Sequence, residues 1–292
     1  MPVATIVIVT FNRKDDLRRA VASALRQSVD VEVLVLDDCS TDGSDRMIRE
    51  EFPAVRYVRA EANAGYIVQR NRAADLAQGE FIFSLDDDAE FSTPDVVAQT
   101  LRDFSDPRIG AVAIPYIDVL IDPTVRQAAP DTHQPWLIET FRGTAYAVRK
   151  NVFVATGRFR EEFRHQGEES DFCLRMLDRG FVVRRGSSAP ILHHESPKRD
   201  RPRVLRNSCR NWVINVLFNY PMPEMFAHLA AKNFNGIVRG WRRRMYAAGP
   251  AGVLAGYAYA LSRIGRRKAV RRSTLALFER IRRRGPIALA DA

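Results

Sequence analysis

Phe81-Ile82-Phe83-Ser84-Leu85-Asp86-Asp87-Asp88 is a short apolar run that ends directly in three consecutive carboxylates. On a strand, alternate side chains share a face, so Asp86 and Asp88 are expected to point one way and Asp87 the other. Three acids at the end of a buried run repel one another. A divalent cation relieves that repulsion, and hard ions such as Mg2+ or Mn2+ bind carboxylate oxygens together with substrate phosphates. The plainer alternative is an acidic strand-to-helix turn capped by Ser92-Thr93-Pro94-Asp95. A second acidic cluster, Gly167-Glu168-Glu169-Ser170-Asp171, opens a helix that runs to Arg179. Carboxylates suit a first helical turn, and Asp171 could pair with Arg175 on the helix surface, which accounts for two of the three acids. One carboxylate facing a cleft would be a candidate general base. His193-His194 ends another short apolar stretch and could add a metal ligand, through either ring.

These groups need elements to hold them. Residues 3–9 form a continuous β-branched run, as expected of a parallel strand covered on both faces. Thr10-Phe11-Asn12-Arg13 breaks it, and Asn12 can cap the next helix, which gathers Leu17, Val21, Ala24 and Leu25 on one face. Strands at 31–36, 55–59 and 80–86 alternate with helices at 45–51 and 68–77, which argues for an open, mostly parallel α/β sheet. Such sheets bind ligands at the carboxyl ends of their strands, where Thr10, Asp38 and Asp86–Asp88 fall. Further strands are expected at 109–114, 143–148, 181–185 and 190–192, and residues 116–140 read as irregular. The first turn holds neither GxGxxG nor GxxxxGK[ST], so dinucleotide oxidoreductases and P-loop NTPases fit poorly.

Composition sets the wider limits. At 292 residues and 46% hydrophobic, the chain can bury a sizeable core. Cys39, Cys173 and Cys209 are odd in number and far apart, which points to a reducing, cytoplasmic setting. The N-terminus reads as a first strand and not a signal peptide. From Lys198 onward, lysine and arginine outnumber aspartate and glutamate 21 to 4, whereas residues 1–197 carry a net charge of −7. An acidic body and a basic tail imply different partners. The tail reads as helices at 203–217, 225–246 and 268–284, separated by an uncharged stretch at 245–262 that is long enough to raise the question of a membrane span. It could pack as a solvated helical face, or lie on an anionic membrane surface at the inner face of the membrane. Nucleic acid is disfavoured, since no reading motif accompanies the charge.

Taken in order, VTFNR, LDDCSTDGS, the NAG…RN segment, SLDDD, FRGTAYAVRK, GEESDFCLRMLDRGF and ILHHES resemble glycosyltransferase family 2. The resemblance spans roughly Val3 to Ser196 and implies the GT-A fold, a mostly parallel Rossmann-like α/β sheet flanked by helices, to which the charge pattern adds a basic helical C-terminal extension. It further implies a catalytic domain over 1–197, divided into a nucleotide-sugar half (1–115) and an acceptor half (116–197); the extension at 198–292 follows from the change in composition.

The activity implied is a metal-dependent inverting transfer, of the hexosyl- or deoxyhexosyltransferase class. The donor would be a UDP- or dTDP-linked sugar, and the acceptor a saccharide or polyprenyl-linked glycan of cell-surface polysaccharide. Carried onto this chain, Thr10, Asn12, Arg13, Asp38, Arg70, Asp86 and Asp87 would surround the donor. Asp88, Asp86 and His193 would hold Mn2+ or Mg2+, and Glu169 or Glu168 would be the base. The base position commonly carries aspartate, so the choice between the two glutamates stays open. A nucleotidyltransferase and a non-catalytic polyanion- or membrane-binding scaffold are the alternatives.

Overall fold

The computed structural model describes residues 2–195 and 200–292; the expected 197/198 domain boundary and Ser196 of ILHHES lie outside the described residues. The first half runs β1 (Ala4–Thr10), α1 (Lys14–Leu25), β2 (Val31–Asp37), α2 (Ser44–Glu51), β3 (Arg56–Arg59), α3 (Tyr66–Leu76) and β4 (Phe81–Asp86). Next come β5 (Ala89–Phe91), α4 (Val96–Arg102), β6 (Ile109–Ala113), β7 (Tyr116–Asp118), β8 (Asp122–Arg126), β9 (Trp136–Ile138) and β10 (Tyr146–Arg149). Then follow α5 (Lys150–Ala155), α6 (Glu168–Asp178), β11 (Val182–Arg185) and β12 (Ile191–His193). The chain closes with α7 (Arg201–Asn219), α8 (Glu224–Arg242), α9 (Ala248–Leu261), α10 (Arg272–Arg284) and β13 (Ile287–Ala288).

The main sheet has nine strands in the order β13-β9-β11-β6-β10-β4-β1-β2-β3. β4, β1, β2 and β3 are mutually parallel, as the alternation of strands with helices suggests. Beyond β4 the sheet is mixed, because β10 enters antiparallel between β4 and β6. Both faces are covered: Ile6 and Ile8 of β1 join one apolar cluster and Val7 the other. A smaller sheet, β5-β12-β7-β8, stands beside the acidic end of β4.

Several local expectations change. The stretch 116–140, read as irregular, holds three short strands whose period-2 signal is weak because β8 is largely exposed. The acid triplet leads into β5, not into a capped helix. Asn12 does not cap α1: it sits at φ +55 and its Oδ1 accepts from Thr41 N, while Asp42 Oδ2 accepts from Lys14 N at 2.8 Å. The first turn of α1 is thus capped from a neighbouring loop.

The basic tail is built into this architecture. Val213, Ile214 and Phe218 of α7 join the same apolar cluster as Val7 and Phe172, and β13 extends the main sheet along β9. The uncharged stretch becomes α9, whose glycines let it press against α7. A Cβ at Gly252 would come 2.3 Å from Arg206 O, and one at Gly256 2.7 Å from Arg210 O. Among the described residues, no helix is long and apolar enough to cross a membrane.

Asp171 is the principal correction on α6. It is fully buried, not part of a surface pair. Its carboxylate accepts from Arg175 Nε at 2.9 Å and Asn219 Nδ2 at 2.6 Å, and lies 3.3 Å from the Arg160 guanidinium. One acid therefore ties α6 to the end of α7 and to the loop before it. Removing one member of such a buried network leaves charge uncompensated. Asp171→Ala should lower stability by roughly 3–5 kcal/mol in urea denaturation, and Ala substitution of solvent-exposed Asp15 should change it little.

Candidate active site

The strand register brings the sequence motifs to one edge. Thr10 lies opposite Asp37, and Val9 opposite Asp86, so the ends of β1, β2 and β4 are level. Because β10 is antiparallel to β4, the segment entering β10 arrives at that same edge, and Gly143 meets the end of β4. In the small sheet, His193 pairs with Ala89 on one side and Asp118 on the other. These ends border a cleft of about 820 Å³.

Asp86, Asp87 and Asp88 all line this cleft, rather than dividing between two faces. β4 ends at Asp86, and strand alternation ends with it. The repulsion among them is met by the protein's own cations. Arg70 NH2 donates to Asp86 at 2.5 Å, and Arg13 NH1 reaches Asp87 at 3.3 Å and Asp88 at 2.5 Å. His193 Nε2 lies 3.3 Å from Asp88, and its Nδ1 meets Asp118 at 2.6 Å.

Burial pushes Asp87 up to about 7 with help from the charge of Asp88, against the pull of Arg13. Burial would raise Asp88 too, but hydrogen bonds and charge from His193 and Arg13 hold it well below the usual carboxylate range. Desolvation would lower His193, yet Asp88 and Asp118 push it up to about 9.

The opposite wall comes from the start of α6. Glu168 is buried, accepts from Tyr66 OH at 2.6 Å, and lies 3.9 Å from Arg70. Its other oxygen, Oε2, is buried without a hydrogen-bond partner. Glu169 is only half-buried and faces Gly143, where a Cβ would come 2.9 Å from its Oε1. Burial raises both carboxyls; the charge of Glu169 adds to the rise at Glu168, while the helix-start amide, Arg70 and Arg142 oppose it at Glu169. Arg70 thus spans the cleft wall, from Asp86 at the strand end to Glu168 on α6.

The donor set fits a hard divalent cation. One ligand atom each from Asp86, Asp88 and His193 lies within 4.8 Å of the others. Two carboxylates and an imidazole suit Mn2+ or Mg2+, with Mn2+ the more tolerant of nitrogen. Asp118 on Nδ1 orients the ring so that Nε2 faces the acids, the usual carboxylate–histidine support of a metal site. A proton and a metal compete there for the same lone pair.

Of the donor residues expected from sequence, Thr10, Arg13, Asp38, Arg70, Asp86 and Asp87 line the cleft. Thr10 Oγ1 donates to Asp87 at 2.9 Å. Asp38 accepts from Ala64 N, Gly65 N and Gln69 Nε2, which fixes the turn before α3. Asn12 is directed to Thr41 and does not border the cleft. His193 joins the acids, whereas His194 pairs with Glu90 at 3.0 Å. Tyr66, Asp118, Arg142 and Gly143 were not anticipated. The glycine just ahead of β10 was a usable signal, since glycine marks close approach; Asp118 and Tyr66 carried none.

The architecture is the GT-A fold. It is similar to a solved mannosyltransferase from Pyrobaculum calidifontis, in complex with GDP-Man and Mn2+, at a TM-score of 0.62 and 20% identity, covering 96% of this chain and 82% of that one. The glycosyl transferase family 2 profile matches residues 5–161, more than half of the chain, which therefore belongs to that family. Similar curated proteins include the putative colanic acid biosynthesis glycosyl transferase WcaA of Escherichia coli, 36% identical over 95 residues (31% of this chain, 34% of that protein). The putative teichuronic acid biosynthesis glycosyltransferase TuaG of Bacillus subtilis is 35% identical over 92 residues (30% of this chain, 36% of that protein). The matched segments span about a third of the length of these relatives.

Gly143 offers a direct test of the geometry. Its carbonyl accepts from Arg70 NH2 at 3.0 Å and Ser84 Oγ at 2.8 Å, and its missing side chain leaves room for Arg70 and Glu169. Gly143→Ala displaces flexible side-chain ends rather than backbone. It should leave the melting temperature within a few degrees of wild type and lower turnover on the order of a hundredfold.

Proposed function

We propose that the chain transfers a sugar, with inversion, from a nucleotide-diphosphate donor to an acceptor hydroxyl. The observation that carries this is the half-buried Glu169 set across one cleft from Asp86–Asp88, with Arg70 and Arg142 beside it. Thr10 and Asp38 border the space for the base, and a UDP- or dTDP-linked sugar is the donor expected. Asp86, Asp88 and His193 would hold Mn2+ or Mg2+, which when bound supplies positive charge beside the diphosphate.

Glu169 takes the proton of the acceptor hydroxyl, whose oxygen attacks the anomeric carbon from the face opposite the diphosphate. The bond from that carbon to the diphosphate breaks, and its electron pair leaves with the nucleotide. Arg13 and Arg70 hold fixed positive charge where the negative charge develops, the arrangement that lowers such barriers most. Supporting Glu169 over Glu168 is the partnering of the latter: Tyr66 and Arg70 engage Glu168 within the wall, so Glu168 acts as a positioning residue.

The names of the relatives, concerned with colanic and teichuronic acid, favour a saccharide or lipid-linked acceptor in cell-surface polysaccharide synthesis. The outer face of α8 supports a role at an anionic membrane surface. Phe226, Phe234, Ile237 and Trp241 share that face and are 45–70% exposed, beside Arg242 and Arg244. An apolar helix face with tryptophan and flanking arginines is the pattern of an interfacial helix.

Glu169→Gln should lower turnover by about 10²–10⁴-fold while nucleotide binding, read by thermal shift with Mn2+, stays at the wild-type level. Turnover near wild type would remove Glu169 as base. The base works deprotonated and burial raises its pKa, so activity should fall on acidification at a pH above the ordinary glutamate value of about 4.3. An acid limb at or below that value would contradict the assignment.

A further inference from the structure

A second groove, of about 950 Å³, opens next to the catalytic cleft. Ser208 of α7 borders both, and its Oγ donates to Gln166, another residue of the cleft wall. The first turns of α7 therefore form the partition, with Arg203 on the cleft side and Arg201 and Val204 on the groove side.

The groove combines two chemistries. Its apolar part is the β7–β8 hairpin tip, where Leu120 and Ile121 are 61% and 55% exposed. Val119 and Val125 of the same hairpin are also exposed, so the tip is apolar beyond the groove. This tip follows directly on Asp118, the residue that orients His193. Its charged part is Arg201, Arg239 and Arg243. Among the described residues, none of the three has a carboxylate partner within ion-pair distance, and the groove's acid, Glu195, lies 3.6 Å from Arg142 of the cleft. Unpaired arginines beside exposed aliphatic side chains match a ligand with an anionic head and a hydrocarbon chain. Guanidinium groups bind phosphate in a bidentate manner.

We propose that this groove binds the phosphate or diphosphate and the first part of the hydrocarbon chain of a lipid-linked acceptor. The acceptor's sugar then crosses the Ser208 partition into the cleft. This rests on the transferase reading above and adds an acceptor subsite to it. Nucleotide donors need not enter the groove, so the two ligands are recognised by separate charges: Arg13 and Arg70 on one side of α7, Arg201, Arg239 and Arg243 on the other.

The test is isothermal titration of the full chain with farnesyl diphosphate, alongside inorganic diphosphate and farnesol. Wild type should bind farnesyl diphosphate at least tenfold more tightly than either fragment. Arg239→Glu/Arg243→Glu and Leu120→Ser/Ile121→Ser, both confined to exposed side chains, should each weaken that binding at least tenfold. Both variants should keep the wild-type thermal shift with nucleoside diphosphate and Mn2+. Equal affinity for inorganic and farnesyl diphosphate, or unchanged affinity in both variants, would overturn the proposal. Full displacement of farnesyl diphosphate by phosphatidylglycerol vesicles would also overturn it, by showing a general lipid-headgroup surface. Failure of wild type to turn over any nucleotide sugar would instead count against the transferase reading and leave this binding result standing.

Discussion

Three carboxylates at the end of a buried strand cannot stand together without compensating charge, and much of the site follows from how that charge is supplied. Arg70 arrives from α3, Arg13 from the turn between β1 and α1, and His193 from the small sheet. Each cation comes from a different element, so the acid cluster draws the sheet, its first helices and the small sheet to one point. Burial raises the pKa of Asp87, and the repulsion from Asp88 that remains adds to that rise. A like-charged cluster of this kind costs stability unless a ligand or metal uses it.

The sheet topology decides what faces those acids. Parallel β1, β2 and β4 bring three carboxyl ends level, which is ordinary for an α/β sheet. The antiparallel entry of β10 then lays Gly143 against the end of β4 and lets α6 present Glu169 across a narrow gap. Arg70 is common to both sides, and the absent side chain of Gly143 is what allows it. Behind this wall, Asp171 ties α6 to α7 by accepting from Asn219, so the position of the candidate base depends on the basic C-terminal helices. Those helices also build the second groove.

The parts legible from sequence were those with a local signature. The β-branched run at 3–9 and the alternation of strands with helices gave the parallel strands, and clustered acids at strand and helix ends gave Asp86–Asp88 and Glu168-Glu169. What was not legible depended on partners distant in the chain. Asn12 has the chemistry of a cap, but a neighbouring loop competes for it through Thr41, and Asp42 supplies the cap instead. Asp171 looks like half of a surface i,i+4 pair until Asn219 and Arg160 close over it. Asp118 sits in a stretch without periodicity and acquires its role only through pairing with β12. The glycines of 245–262, read against the question of a membrane span, mark close packing of α9 on α7.

The central claim is that Glu169 and the Asp86–Asp88 cluster, on opposite sides of one cleft, carry out a single displacement at the anomeric carbon. The stereochemistry of the product reports on that claim more directly than any substitution. With the donor identified by screening nucleotide sugars in the presence of Mn2+, NMR of the transfer product gives the anomeric configuration of the new linkage from its one-bond C1–H1 coupling. An α-linked donor should yield a β-linked product, or a β-linked donor an α-linked one. A product that retains the donor's configuration would contradict the account.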